Sequence, residues 1–331
     1  MITKVLLFLC SITLLDALEY NSNISVKKLN HSTLANELIV YGDTKLKLED
    51  DIFSTNATVE YLYSFEYKKR RYIKLNELYI TKDFEDYSFS LGKVIKYWGE
   101  LEGYNIADVY NQKNLTFDPF DKDAKLGSVG FDIKRYYDHS SLEFGVKDED
   151  YDKPSFYLVY NFTTDELVES ENRFIIIDGY DDKFMFLSNL LYDDFIFKCE
   201  TSYTVVASEK KVSDFLQLSF GVEKSFYDVL SSDITLYLEY YNYHYMQDYK
   251  LKNTDISTLY DNDIFLAFKL NLNDVQDSEL KSGVFYDAKT SQKMYKVEFK
   301  SRIVDNLVLN AEFLKYLQDY DRFSLGFTYS F

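Results

Sequence analysis

Arg322-Phe323-Ser324-Leu325-Gly326-Phe327-Thr328-Tyr329-Ser330-Phe331 ends the chain in unbroken alternation. Phe323, Leu325, Phe327, Tyr329 and Phe331 fall on one face of an extended segment, and Ser324, Gly326, Thr328 and Ser330 on the other. Successive side chains of a strand point to opposite sides, so this pattern predicts a strand with one greasy and one polar face.

The same period recurs upstream. Leu216, Leu218, Phe220 and Val222 oppose Gln217, Ser219, Gly221 and Glu223, and Tyr295, Val297 and Phe299 oppose Lys296, Glu298 and Lys300. Candidate strands fall near 56–67, 72–84, 87–97, 126–137, 140–147, 155–162, 173–180, 183–192, 194–205, 215–226, 234–245, 264–272, 280–287, 294–304, 307–317 and 322–331. That is about 16 strands, within a range of roughly 14–18, and even as a bacterial single-chain barrel requires. Helical spacing is nearly absent. Of residues 18–50 only Lys45–Leu48 alternates cleanly, and the stretch fits a periplasmic segment, a lumen plug or part of the first strand.

With 46% hydrophobic residues in 331, the chain has ample apolar surface and is no disordered protein. Residues 1–17 read as a secretory signal peptide: Lys4 supplies the positive start, Val5–Leu15 the apolar run, Ala17 the small residue for cleavage. That run is too short for a bilayer core of about 30 Å, and none further on approaches the ~20 apolar residues of a membrane helix, so a membrane-embedded form must cross as strands. Cys10 follows Leu9 inside the apolar run, a poor lipidation setting, and Cys199 alone makes neither a disulfide nor a metal site.

A soluble sandwich would also alternate. The exported chain, its 32 Tyr and 27 Phe, and strands without a second core favour the membrane. The expectation is an all-β, antiparallel, up-and-down transmembrane barrel as one domain over residues 51–331. Long connections at Trp98–Lys125, Ala207–Asp214 and Met246–Asp263 should lie outside. Short turns at Glu85-Asp86, Asp138-His139, Asp193 and Asp305-Asn306 should face the periplasm. Lys68–Arg71 is short where a loop is due, and Thr163–Asn172 long where a turn is due.

A net charge of −18 without a basic stripe excludes nucleic acid as a partner. Assigning polar faces to the lumen gives Asp132, Lys134, Lys296, Glu298, Lys300 and Arg302 among a nearly balanced set, with the surplus acid in the connections. The ladder Lys296, Lys300 and Arg302 is a candidate anion path, though selectivity follows charge at the constriction and not the total. Phe265, Val308 and Leu314 should also face inward. His31, His139 and His244 lie in unrelated places, none at a spacing that suggests a nucleophile and base, so no catalytic residue is assigned. Asp clusters lack regular cation-ligand spacing; no metal or cofactor is expected.

The terminal alternation Phe323, Leu325, Phe327, Tyr329 and Phe331 resembles the C-terminal signature of outer-membrane barrel proteins, which implies recognition by the barrel-assembly machinery. A narrower resemblance covers about 40 residues: Asn76-Glu77-Leu78-Tyr79-Ile80, Ser90-Leu91-Gly92-Lys93, Trp98-Gly99 through Gly103, and Asp108 to Asn111. It is similar to a large, poorly characterised barrel family with RE-x-Y-L, LG-x-Q and WG-x-x-x-G…D-x-x-N-P segments; here Asn76, Lys93 and Gln112 depart from the pattern. Physically, Gly99 and Gly103 suit tight turns, Trp98 an apolar anchor, and Asp108 and Asn111 bonds to loop backbone, so the loop 98–125 should fold against the wall and narrow the lumen. These resemblances imply a porin-like, Gram-negative outer-membrane channel for passive passage of small solutes, amid outer-membrane lipids and lipopolysaccharide. The rival expectations are a non-conducting structural or adhesive barrel and a transporter of hydrophobic substrates. Trimers and monomers alternate alike, so periodicity does not fix the oligomeric state.

Overall fold

The computed structural model describes residues 18–32, 36–49, 53–113, 125–148, 153–164, 169–208, 213–246, 262–316 and 320–331; the stretch 1–17, expected to be a signal peptide, lies outside them. In chain order the strands are β1 Leu18–His31, β2 Glu37–Glu49, β3 Ser54–Ser64, β4 Tyr72–Asp83, β5 Tyr87–Val94, β6 Gln112–Lys113, β7 Lys125–Leu126, β8 Ser128–Tyr137, β9 Ser140–Asp148 and β10 Pro154–Thr164. They continue as β11 Glu169–Asp178, β12 Asp182–Tyr192, β13 Phe195–Val205, β14 Phe215–Phe226, β15 Asp233–Tyr245, β16 Asn262–Asn271, β17 Glu279–Asp287, β18 Lys293–Val304, β19 Leu307–Tyr316 and β20 Tyr320–Ser330. All but β6 and β7, which form a ribbon of their own, join in one 18-stranded antiparallel sheet.

Each strand of the sheet pairs with its chain neighbours, β5 with β8 across the ribbon, and β20 closes on β1. At the seam the register runs from Asn23 opposite Ser330 to His31 opposite Arg322, and Ser22 and Phe331 exchange both backbone hydrogen bonds at 3.0 Å. Closure removes the sheet edge, which a membrane would leave unsatisfied.

The two faces divide as the alternation requires. Phe323, Leu325, Phe327 and Tyr329 are 42–46% exposed on the outside, and the same exposed apolar face recurs around the wall at Phe131, Phe144, Phe156, Phe174, Phe184 and Leu238. Such rings contact one another across strands, Phe174 on Phe186 at 4.8 Å. Exposing a Leu or Phe to water costs about 1.5–3 kcal/mol each, so an apolar belt that recurs around most of the wall belongs in lipid. Inward positions carry Ser202, Ser219, Glu200, Glu239 and their like, all buried.

All 16 strands read from the sequence are present, and two more precede them. Residues 18–49 are β1 and β2, not a separate periplasmic segment or plug, and the barrel begins at 18 rather than 51. Two features hid them. The outward face of β1 is interrupted by Ser22 and Lys28, and Gly42-Asp43-Thr44 at the centre of β2 has the composition of a turn. Both breaks are made good: the Ser22 and Thr44 hydroxyls bond each other at 2.5 Å, and Tyr61 lies over Gly42, donating its hydroxyl to the Asn23 carbonyl at 3.1 Å. Because the addition is a pair of strands, every later strand keeps its direction.

The two anomalous connections also resolve. β3 ends at Ser64, so residues 65–71, with a 3-10 turn at Lys68–Arg70, make a longer loop than expected. β10 and β11 extend through the stretch read as a long turn, pairing Thr163 with Glu171 and Thr164 with Ser170. The connections after β3, β5, β13 and β15 leave one end of the barrel, and the tight turns after β4, β8, β12 and β18 leave the other.

Candidate functional site

The connection between β5 and β8 turns into the lumen, and its described residues 95–113 are held by groups the sequence motifs supply. β4 bulges at Asn76-Glu77 opposite Thr58, which aims both side chains inward. Glu77 accepts from the Ile95 N–H at 3.1 Å and fixes the departing foot of the loop. Asn76 donates to the Lys125 carbonyl at 3.0 Å and to Glu60 at 2.6 Å, and accepts from Gly127 N–H at 3.3 Å, fixing the returning foot. Gly92, between the feet, has φ +134, and a Cβ there would stand 2.2 Å from the Leu78 carbonyl oxygen, so only glycine fits.

Asn111 ties the feet together. It accepts from Lys96 N–H at 2.9 Å, donates to the Lys96 carbonyl, and donates to Asp108 at 2.7 Å. Asp108 pairs with Lys125 at 3.2 Å, both 5% exposed. Lys96 reaches across to Asp132 at 2.8 Å and to Glu143. Buried charges persist only when paired and hydrogen-bonded, and each here is.

Beyond the feet the loop builds a core inside the lumen. Trp98, 4% exposed, meets Tyr110 and Tyr157 edge-on at 5.4 and 5.5 Å, and the cluster includes Val159, Ile175, Met185 and Leu187 of β10–β12. Arg173 donates to the Trp98 carbonyl at 2.7 Å, and Lys147 to that of Val109 at 2.7 Å. Two buried wall carboxylates take the loop's N–H groups. Glu200, 1% exposed, accepts from Glu100 at 2.7 Å and Ala107 at 3.2 Å; Glu239, 2% exposed, accepts from Glu102 at 2.7 Å, Gly103 at 2.9 Å and the Tyr241 hydroxyl. The Tyr241 hydroxyl accepts from Tyr104 N–H at 2.8 Å. Burial pushes the Tyr104 hydroxyl up to about 12, so it stays protonated.

The described part of the loop therefore packs against the β9–β15 wall, and an off-centre slot lies beside its tip. A cavity of about 310 Å³ lies between the loop tip, Glu102-Gly103, and β15–β19. Its apolar side is Phe265 and Phe285, stacked at 4.5 Å, with Met294 and Leu314. Its charged side carries Lys269, Lys281, Lys296, Lys300 and Glu298. Lys269 and Lys281 pair with Glu279 at 2.8 and 3.4 Å, and Lys296 with Glu298 at 3.4 Å.

Of the predicted lumen charges, Lys296, Glu298 and Lys300 meet in the slot. The others do different things. Asp132 holds the loop's foot; Lys134 lines a second recess of about 330 Å³ beside the β8–β9 turn; Arg302 pairs with Asp277 at the short-turn mouth, so it is no rung of an anion ladder through the slot. Trp98, Gly99, Gly103, Asp108 and Asn111 all lie in the inward loop. The glycines serve close approach and not a left-handed turn: a Cβ on Gly103 would meet Phe285 at 2.7 Å, and one on Gly99 would meet Asn105 at 2.4 Å. Phe265, Val308 and Leu314 sit at inward register positions as expected, since each shares a face with a lumen residue opposite. His31 faces inward near the long-connection mouth, His139 lies in a short turn and His244 faces outward. The sequence reading omitted Glu200, Glu239, Tyr241 and Arg173; the signal available was an acid at the centre of an inward polar face.

A closed barrel with an apolar outer belt and a loop folded into its lumen has the fold of porin-like barrels. Solved structures with this fold include three from Pseudomonas aeruginosa. OccK8 (OprE) superposes with TM-score 0.62 at 8% identity, over 96% of this chain and 98% of that one. OpdK, solved with vanillate, gives 0.64 at 9%, over 96% and 99%. The outer-membrane protein OprD gives 0.63 at 9%, over 96% and 94%. No family model and no curated protein matches the sequence.

Proposed function

We propose that this protein is a porin-like channel of a Gram-negative outer membrane, passing small solutes through the slot between the loop tip and β15–β19. The observation that supports this most is the stapling of loop residues 100–107 to one wall, which narrows the lumen there and leaves a lined cavity beside the loop tip. One structural neighbour, OprD, is an outer-membrane protein, which supports placing the apolar belt in an outer membrane. The slot offers a stacked aromatic pair on one side and lysines on the other, which suits a small solute with an apolar body and an anionic group. OpdK was solved with vanillate, and OccK2 (OpdF) with glucuronate; both ligands are of this general size. Continuous pairing around the wall offers no lateral gap for a hydrophobic cargo, and the described part of the longest loop is buried inside rather than displayed for adhesion.

Liposomes carrying refolded protein should conduct ions and swell in small aromatic carboxylates and small sugars. Gly103→Val, which thrusts methyl groups at Phe265 and Phe285, should lower both signals severalfold while the barrel still folds. Protein that is folded yet neither conducts nor supports swelling is no channel.

A further inference from the structure

One sector of the long-connection rim is basic in a protein whose net charge is −18. The connection after β3 reads Lys68-Lys69-Arg70-Arg71. Arg70 turns inward to the buried carboxylate of Glu37, but Lys68 and Lys69 are exposed and the other cations face outward. Arg71 lies over the outward ring of Tyr63, its Cζ 4.3 Å from the centroid, held by the Ser64 carbonyl at 2.8 Å and the Phe65 carbonyl at 3.2 Å. Lys28 is outward on β1, opposite Leu38, whose carbonyl accepts from Phe65 N–H, so it stands level with the same connection. Lys93 is outward on β5 and donates to the Leu75 carbonyl at 2.9 Å. The acid beside them is Glu66, which accepts from Leu38 N–H at 2.8 Å.

Below the connection lie exposed apolar groups, Tyr63 at 45%, Ile73 at 67% and Leu75 at 41%, with Phe65 at 53% within it; Lys93, opposite Leu78, reaches up beside them to the Leu75 carbonyl. Tyr63 and Phe65 stand edge to face at 5.1 Å, as an aromatic belt does at headgroup level. Cations above acyl-sized apolar surface are the chemistry of a phosphorylated lipid, and an arginine fixed in place is well suited to bind phosphate oxygens. Outward cations at the opposite rim are scattered, each over a ring: Lys82 over Phe84, Arg135 over Tyr87 and Tyr137, and Lys224 over Phe195.

We propose that the sector formed by Lys28, Lys68, Lys69, Arg71 and Lys93 docks the phosphorylated headgroup of an outer-leaflet glycolipid, with its chains lying along Tyr63, Ile73 and Leu75. This rests on the outer-membrane placement above, with the long connections facing outward. Full-length protein in detergent is mixed with purified bis-phosphorylated lipid A or its dephosphorylated form, and bound lipid is counted by native mass spectrometry. Wild type should retain the phosphorylated form; dephosphorylation, or the combined change Lys68→Gln, Lys69→Gln, Arg71→Gln, should weaken retention about tenfold or more, while Lys82→Gln should not. Equal retention of both lipids, an undiminished adduct on the triple variant, or full displacement by millimolar inorganic phosphate overturns the proposal. Conductance of the triple variant at the wild-type value shows that the barrel and its slot are intact, which separates loss of the lipid site from failure of the channel reading.

Discussion

Glu200 and Glu239 each place a carboxylate almost out of reach of solvent and bring it loop N–H groups instead of a directly paired cation. A hydrogen bond to a charged group contributes about 1.5–3 kcal/mol, and stranding a buried partner costs a comparable amount. Replacing Glu200 by Gln keeps the size but turns one acceptor into a donor aimed at an N–H, so one of the bonds from Glu100 and Ala107 is lost and two donors face each other. The expected outcome for Glu200→Gln with Glu239→Gln is a barrel that folds, loses about 2–4 kcal/mol of loop docking, and shows larger, noisier single-channel conductance. Unchanged, quiet channels would mean that the apolar core around Trp98 holds the loop unaided. These residues were legible as inward polar positions but not as anchors, because a hydrogen bond between residues 100 and 200 leaves no local pattern; Asp108 and Asn111 were legible because their partners lie within the same loop, and Trp98 because a large ring among glycines marks an anchor.

At the scale of elements, the loop has two feet, both on β4, and the bulge at Asn76-Glu77 lets adjacent residues serve both. Asn76→Leu should therefore free the returning foot, losing its bonds to Lys125 and Gly127, while Glu77 still holds the departing one. Hydrogen exchange should quicken at residues 125–128 and much less at 95–97; equal quickening at both would show that the feet move as one unit. The strands themselves were readable wherever the apolar face was continuous. β1 and β2 escaped because their outward faces are completed by pairings, Ser22 with Thr44 and Tyr61 over Gly42, that exist only once neighbours are in register. A strand ends on paper at its first polar outward residue, and in the barrel only where its partner ends.

For the whole molecule, the −18 charge and the slot are separate matters. Lys269, Lys281 and Lys296 are paired with Glu279 and Glu298 in or beside the opening, so the local field is close to balanced. A tenfold KCl gradient should accordingly give a reversal potential well short of the ideal cation value of about 59 mV, and removing Lys300 should move it toward cation preference. A near-ideal cation potential in wild type would show that the acidic mouth, and not the slot, sets selection. The sidedness of the loops was readable from the sequence in spite of the miscount, since a missing pair of strands leaves every later direction unchanged.

The staples from Glu200, Glu239 and Tyr241 grip the loop by its main chain, at Glu100, Glu102, Gly103 and Tyr104. A main-chain N–H is the same whatever residue carries it. Substitutions at positions 100 and 102 can therefore alter what the loop presents to a passing molecule without loosening its mooring. In evolutionary terms, anchorage and cargo preference are encoded by different residues, and a lineage of such barrels is free to change diet one loop residue at a time.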